Sequence, residues 1–185
     1  DWKLGENGIR EKKGEKLSFN LYATDWPELA ATADILKEQW KAVGADVNVN
    51  ILSVSDLQQN YIRTREYEAL LFGQAINFDP DLYFFWHSSQ KRDPGLNLSL
   101  FDNKKADELL EGIKTSVSES ERIKKLQDLE DIIVEEAPAV FIYSPSYLYP
   151  VGNKVKGIES RNIDSPSWRF SNINNWYINT KRVRK

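Results

Sequence analysis

Cysteine is absent from the 185 residues, methionine is absent too, and histidine occurs once, at His87. Without cysteine there can be no disulfide, no thiolate metal site and no thiol nucleophile. Stability must then come from burial, and a chain of this length buries roughly 70% of its unfolded surface, enough for a sizeable core. A lone histidine leaves too few ligands for an ordinary metal site, so His87 reads as structural. No G-x-S-x-G turn accompanies it to present a serine nucleophile, and Gly-rich phosphate loops are missing. Neither sign of charge dominates: 25 Lys and Arg stand against 28 Asp and Glu. That balance provides no electrostatic reason to expect a nucleic acid or an acidic membrane as partner. No apolar run reaches the ~18 residues that would span a bilayer, and no signal peptide is recognisable. The lack of an initiator and of thiols fits a processed or partial chain whose exported parent carries its signal upstream of Asp1.

What the chain has in quantity is aromatics: six Trp, eight Tyr and eight Phe. The first sixteen residues, polar and glycine-rich, read as a lead-in loop. Lys16–Ala23 alternates, with Leu17, Phe19 and Leu21 on one face, and reads as a strand. Asp25, Pro27 and Glu28 suggest a capped helix start. Leu29, Ala33, Leu36, Trp40 and Val43 then recur at helical spacing up to a stop at Gly44. Asp46–Leu52 alternates again, so strand, helix and strand form a β-α-β unit with parallel strands.

Ser55 is expected to cap a short helix through Tyr61. Tyr67–Phe72 reads as a third, buried strand ended by Gly73. Helices are expected over Asn103–Thr115 and from a Ser118/Glu121 capping box to Pro138. Strands are expected at Ala139–Tyr143 and Tyr147–Val151, with an edge strand within Arg169–Asn179. Alternating strands and helices indicate an α/β class. Ligands of such sheets sit outside the carboxyl ends of the strands, which points first to the loop after Phe72.

That loop is dense in candidates. Phe78, Tyr83, Phe84, Phe85 and Trp86 crowd together, and helical spacing commits some of them to the core. The functional reading is an aromatic wall of a binding cleft, with Gln74, Asn77 and Asp79 as polar anchors. Asp79-Pro80-Asp81 resembles a carboxylate pair. Catalytic glycosidase carboxylates usually lie on different elements about 5–10 Å apart, and a turn with Asp81 capping a short helix is the better account. The basic run Lys181–Lys185 reads as a solvated terminus.

The order of these motifs resembles the C-terminal part of extracellular solute-binding proteins of the peptide/nickel ABC-transporter family. The resemblance is carried by Trp2, Gly8-Ile9-Arg10-Glu11-Lys12, Gly14 and Lys16-Leu17-Ser18-Phe19. It continues through Gln39-Trp40-Lys41 and Gly44, Asp79-Pro80-Asp81, Asn97, Asn103 and Asp107-Glu108-Leu109-Leu110. Arg122, Glu135 and Ala137-Pro138 complete it. It implies an α/β fold of the periplasmic-binding-protein type II, with a mixed sheet flanked by helices and a ligand held between two lobes that close by hinge motion.

On that resemblance residues 1–150 form most of the second lobe, and residues 151–185 return to the first. From about Gly152 onward the chain would then pack on material it does not contain. The resemblance also implies a non-catalytic protein with no cofactor, located outside the cytoplasm as a periplasmic protein or a cell-surface lipoprotein. It would capture an oligopeptide or related small solute and deliver it to ABC permease subunits in the membrane. Its expected contacts are Gln74, Asn77, Phe78, Asp79, Trp86 and Asn97.

One departure bears on the ligand. Peptide-binding members often carry G-W-x-x-D-Y-x-D-P, whose first Asp meets the peptide ammonium. Here the stretch is one residue shorter, with Gln74 at the Trp position and Asn77 at the Asp position. Loss of a buried ammonium's carboxylate costs about 3–5 kcal/mol. A peptide in another register, a neutral solute or a sugar-like one is therefore expected, with Asp79 as a substitute carboxylate. Two other readings stand beside this one: a solute-sensing domain of a regulatory protein, and a carbohydrate-active enzyme using Asp79.

Overall fold

The computed structural model describes residues 1–74, 81–159 and 166–180. Their packing falls into two units: Asp1–Gln74 with Asp81–Ala139, and the described residues from Val140 onward.

The first unit begins with an antiparallel ribbon where a loop was expected. Strands β1 (Lys3–Leu4), β2 (Arg10–Lys12) and β3 (Glu15–Lys16) pair in sequence order. The β2–β3 turn explains the ribbon. Lys13 and Gly14 both adopt positive φ, at 55° and 85°, the twist that suits a tight hairpin, and Lys12 pairs with Glu15. Arg10 ties the ribbon to the end of the next helix: its N–H donates to Gly44 O at 2.7 Å and its Nε to Val43 O at 2.7 Å.

The β-α-β unit forms as its periodicity predicts. Strand β4 (Ser18–Thr24) runs parallel to β5 (Asp46–Leu52) over their full length, joined by helix α1 (Pro27–Ala42). Phe19, Leu21 and Ala23 of β4 and Val47 of β5 pack against Ala33, Leu36 and Trp40 of α1. The Phe19 and Trp40 rings meet edge to face at 5.2 Å, a favoured aromatic geometry. Helix α1 ends where expected: Gly44 takes φ 86°, and Ala45 N–H donates to Trp40 O at 2.9 Å.

Its start is one residue later than expected. The N-cap is Trp26, no side chain caps it, and Asp25 N–H bonds Leu52 O instead. Proline prefers the first helical position, and Pro27 there makes residue 26 the cap. Ser53, rather than Ser55, caps the short helix α2 (Val54–Leu57), accepting Asp56 N–H at 3.1 Å. A π-helical turn, Gln58–Ile62, continues it. The third strand, β6 (Ala69–Leu70), is shorter than the apolar run Tyr67–Phe72, although Leu71 N–H extends the pairing to Tyr22 O at 2.8 Å. The sheet order β5-β4-β6 is parallel in every pairing, so the mixed character expected of the sheet is divided among separate ribbons.

A second core joins helices α3 (Tyr83–Trp86), α4 (Lys104–Thr115) and α5 (Glu119–Glu136). Phe101, Ala106, Leu110, Leu129 and Ile133 are its buried residues. Asn103 caps α4 by accepting Ala106 N–H at 3.0 Å. The Ser118/Glu121 box does not close. Ser118 is the N-cap, but its hydroxyl pairs with Ser120 and Glu121 turns to Lys125.

The second unit departs most from expectation. No strand forms at Ala139–Tyr143 or Tyr147–Val151, and Val140 and Phe141 are 78% and 73% exposed. An apolar β-branched and aromatic run becomes a strand only by ladder pairing, and this run is not assigned to a ladder among the described residues. Arg169–Asn179 folds as two 3₁₀ turns and a short strand β8 (Tyr177–Ile178), which pairs antiparallel with β7 (Val155–Lys156). Gly157 is required beside this ribbon: it sits at φ +81°, and a Cβ there would meet Asn175 O at 2.2 Å.

Candidate functional site

The carboxyl ends of β4, β5 and β6 place Thr24, Leu52 and Leu70 along one edge of the parallel sheet. The segments leaving that edge carry Asp25 and Trp26, Ser53 and Val54, and Phe72 to Gln74. Three of them are large apolar groups left open to solvent: Trp26 at 59% exposure, Val54 at 48% and Phe72 at 42%. Helix α1 starts here without a side-chain cap, so first-turn N–H groups and the positive end of its dipole face the edge. Glu28 in that turn partly offsets the positive potential. Thr24 is 4% exposed, and its Oγ1 has no hydrogen-bond partner among the described residues. Apolar surface and first-turn amide donors suit a ligand with a polar backbone and apolar side groups.

The predicted contacts divide. Gln74 lies exposed just beyond β6. Asn77, Phe78 and Asp79 fall outside the described residues. Asp81 accepts Tyr83 N–H at 3.1 Å, but the N-cap of α3 is Leu82, without a side-chain cap, rather than the expected Asp81; Lys114 Nζ pairs with the other Asp81 oxygen at 2.8 Å. Trp86 packs into the second core, with its ring edge-on to Phe101 at 6.2 Å.

Asn97 is fully buried. Its amide donates to Trp86 O, His87 O and Phe101 O at 3.3, 3.1 and 2.9 Å, and its Oδ1 accepts Phe101 N–H at 3.1 Å and the Ser99 hydroxyl at 3.2 Å. Five partners use its hydrogen-bonding capacity, so the expected ligand contact gives way to a role in shaping the chain between α3 and α4. His87 is likewise structural. It is 8% exposed, stacked on Tyr83 at 4.1 Å, and its Nδ1 accepts Ser89 N–H at 3.1 Å. Among the described residues no group of three or more His, Asp and Glu side chains is arranged to hold a metal ion.

Sequence reasoning missed Thr24, Trp26 and Val54. Their signal was present in the β-α-β periodicity, because each follows or ends a parallel strand at its carboxyl end.

The family profile of bacterial extracellular solute-binding proteins, family 5, middle region, matches residues 1–95. The chain is 27% identical over 180 residues to the oligopeptide-binding protein AppA of Bacillus subtilis, covering 96% of this chain and 32% of that protein. It is 24% identical over 154 residues to the nickel-binding protein NikA of Staphylococcus aureus, covering 83% of this chain and 30% of that protein. The structure of Bacillus subtilis AppA in complex with a nonapeptide superposes with a TM-score of 0.74 at 26% identity, covering 97% of this chain and 35% of that one. NikZ of Campylobacter jejuni in complex with Ni(L-His) gives a TM-score of 0.74 at 23% identity, covering 95% of this chain and 36% of that one. The chain therefore spans about a third of the length of these relatives. Its α/β fold is that of part of a type II periplasmic binding protein, and the chain belongs to the bacterial extracellular solute-binding proteins of family 5.

Proposed function

We propose that the chain is the greater part of the second lobe of the substrate-binding component of an ABC importer. It captures an oligopeptide or related small solute outside the cytoplasm and passes it to permease subunits in the membrane. The observation that carries this reading is the exposed carboxyl edge of the parallel sheet. Trp26, Val54 and Phe72 stand open there beside the uncapped start of α1. Likeness to a structure solved with a nonapeptide supports a peptide as the solute.

In this reading Gln74, Asn77, Phe78 and Asp79 contact the solute, while Trp86 and Asn97 hold the adjoining chain from within the core. The second lobe ends near residue 150, and the C-terminal segment packs on the first lobe. The protein is non-catalytic and works as a periplasmic protein or a cell-surface lipoprotein. Asn77 in place of a carboxylate leaves Asp79 to meet a ligand ammonium.

The test is calorimetric titration of the full-length parent with an unmodified nonapeptide and with its N-acetylated form. Trp26→Ala is expected to weaken binding by about tenfold, the loss of one buried aromatic contact. Unchanged binding in both Trp26→Ala and Phe72→Ala would overturn the sheet edge as the site.

A further inference from the structure

A polar network occupies the face of the sheet opposite α1. The parallel register sets Asn20 beside Asn48 and Tyr22 beside Asn50. Asn20 Oδ1 accepts from Asn48 Nδ2 at 2.9 Å and from Asn50 Nδ2 at 3.3 Å. The Asn20 backbone N–H and side-chain amide then both donate to Glu68 Oε2, at 2.9 and 2.6 Å. Asn50 Nδ2 also donates to Asn48 O at 3.2 Å, which engages both of its hydrogens. Donors therefore run in one direction, toward Glu68.

Two acceptors are left over. Glu68 Oε1 and Asn50 Oδ1 receive no hydrogen bond from the described residues. The donor bonds from Asn20, backbone first, hold the Glu68 carboxyl below the usual glutamate range, so it is ionised. Beside it the π-helical turn lays Tyr61 against Tyr22, ring centroids 4.3 Å apart and tilted by 33°. Burial, then Tyr61 and Glu68, push the Tyr22 phenol up, so it stays neutral.

A purely structural account is that Glu68 extends the β6 ladder by satisfying Asn20 N–H. That duty needs one lone pair. It does not require a charge, and it leaves the second oxygen unused. The preorganised carboxylate of exposed Glu68, the amide oxygen of half-buried Asn50 and the two half-buried phenol rings complement a cation rich in hydrogen-bond donors. A guanidinium fits best, because its planar fork can bond two acceptors while it stacks on an aromatic ring. The patch lies on the face of the sheet, apart from the edge segments that carry Trp26, Phe72 and Gln74, and its exposed carboxylate is complementary in charge to a basic protein segment.

We propose that Glu68, Asn50, Tyr22 and Tyr61 form a docking surface for a basic segment of a protein partner, which places an arginine against the Glu68 carboxylate. The proposal does not depend on the identity of the solute. It is tested by titrating the ¹⁵N-labelled chain with an N-acetylated, C-amidated (Gly-Arg)₃ peptide, whose blocked ends remove the groups a peptide-capture site would hold. The expected result is a saturable shift confined to the side-chain amides of Asn20, Asn48 and Asn50 and the backbone around Glu68. Glu68→Gln should weaken it by about tenfold, the loss of one charge-assisted contact, and Gln74→Ala should leave it unchanged. Tyr61→Ala, which spares the Asn20–Glu68 bonds, should weaken it by a smaller factor and carries the test if Glu68→Gln does not fold. Equal affinity in Glu68→Gln and Tyr61→Ala would overturn the proposal. So would equal binding of the Gly-Ser analogue, or shifts that map to Trp26 and Gln74.

Discussion

The two units use their apolar residues in opposite ways. In the first, Leu21, Ala23, Ala33 and Val47 close one core, and Ala106, Leu110 and Leu129 close a second, each at 4% exposure or less. In the second, Val140, Phe141, Leu148, Trp168, Ile173 and Tyr177 all remain more than half exposed. Alongside the β7–β8 ribbon, the second unit is ordered by one cation stacked among rings. The Arg169 guanidinium lies 4.3 Å from the Phe170 centroid and 5.1 Å from that of Tyr149, and it donates to the Tyr147 hydroxyl at 2.8 Å. Local amphipathic pattern suffices where a helix and a sheet can bury each other's apolar faces within the unit. Where the same kind of residue has no such layer to meet, apolar character alone produces neither strand nor core.

That contrast can be broken by substitution. The largest effect is expected from Leu110→Ala, a buried methyl-rich side chain in the helical core, at about 2–5 kcal/mol. Leu148→Ala, at a site 84% exposed, should change stability by no more than about 0.5 kcal/mol. Urea unfolding of the two variants measures both. A similar loss in each would show that the second unit buries its apolar residues in solution.

Asn97→Ala should come next, at about 2–3 kcal/mol, because it removes the amide donor from the buried backbone carbonyls of His87 and Phe101. Its thermal midpoint should fall without a new ligand defect beyond that caused by unfolding. Gly157→Ala should cost less globally yet abolish the β7–β8 pairing, given the 2.2 Å approach to Asn175 O. Faster hydrogen exchange within the β7–β8 ribbon, with β4 unaffected, is the expected signature.

The smallest expected effect is pH-dependent. The Glu68 carboxyl is held below its ordinary range by the bonds from Asn20. Its contribution is therefore present above the unfolded glutamate pKa and is lost as pH falls through the lower folded value. Glu68→Gln should flatten the acid limb of the stability profile by slightly lowering stability near neutral pH, while leaving stability below the folded pKa unchanged.

How much was legible follows the same division. The β-α-β unit was readable because Phe19, Leu21, Val47 and Leu36 obey fixed periods and Gly44 marks the stop. The amino-terminal ribbon was not, since two- and three-residue strands carry no periodicity and only the Lys13-Gly14 turn betrays them. The strand expected at Ala139–Tyr143 rested on apolar character, which does not specify a partner. At the site, the sheet edge followed from topology, whereas Trp26 was hidden by an expected Asp25 cap that Pro27 displaces. Asn97 looked like a polar anchor, because a sequence cannot distinguish an amide facing a ligand from one facing five backbone and hydroxyl groups.

In the function proposed above, the parent protein holds a solute against the carboxyl edge of this sheet. Native mass spectrometry of the full-length protein as purified tests it most directly. The predicted result is protein carrying a ladder of peptide masses, or one small-molecule mass, released on unfolding and diminished in Trp26→Ala. Protein that carries no added mass, and gains none when incubated with saturating peptide, sugar and nickel-histidine panels, would contradict the account.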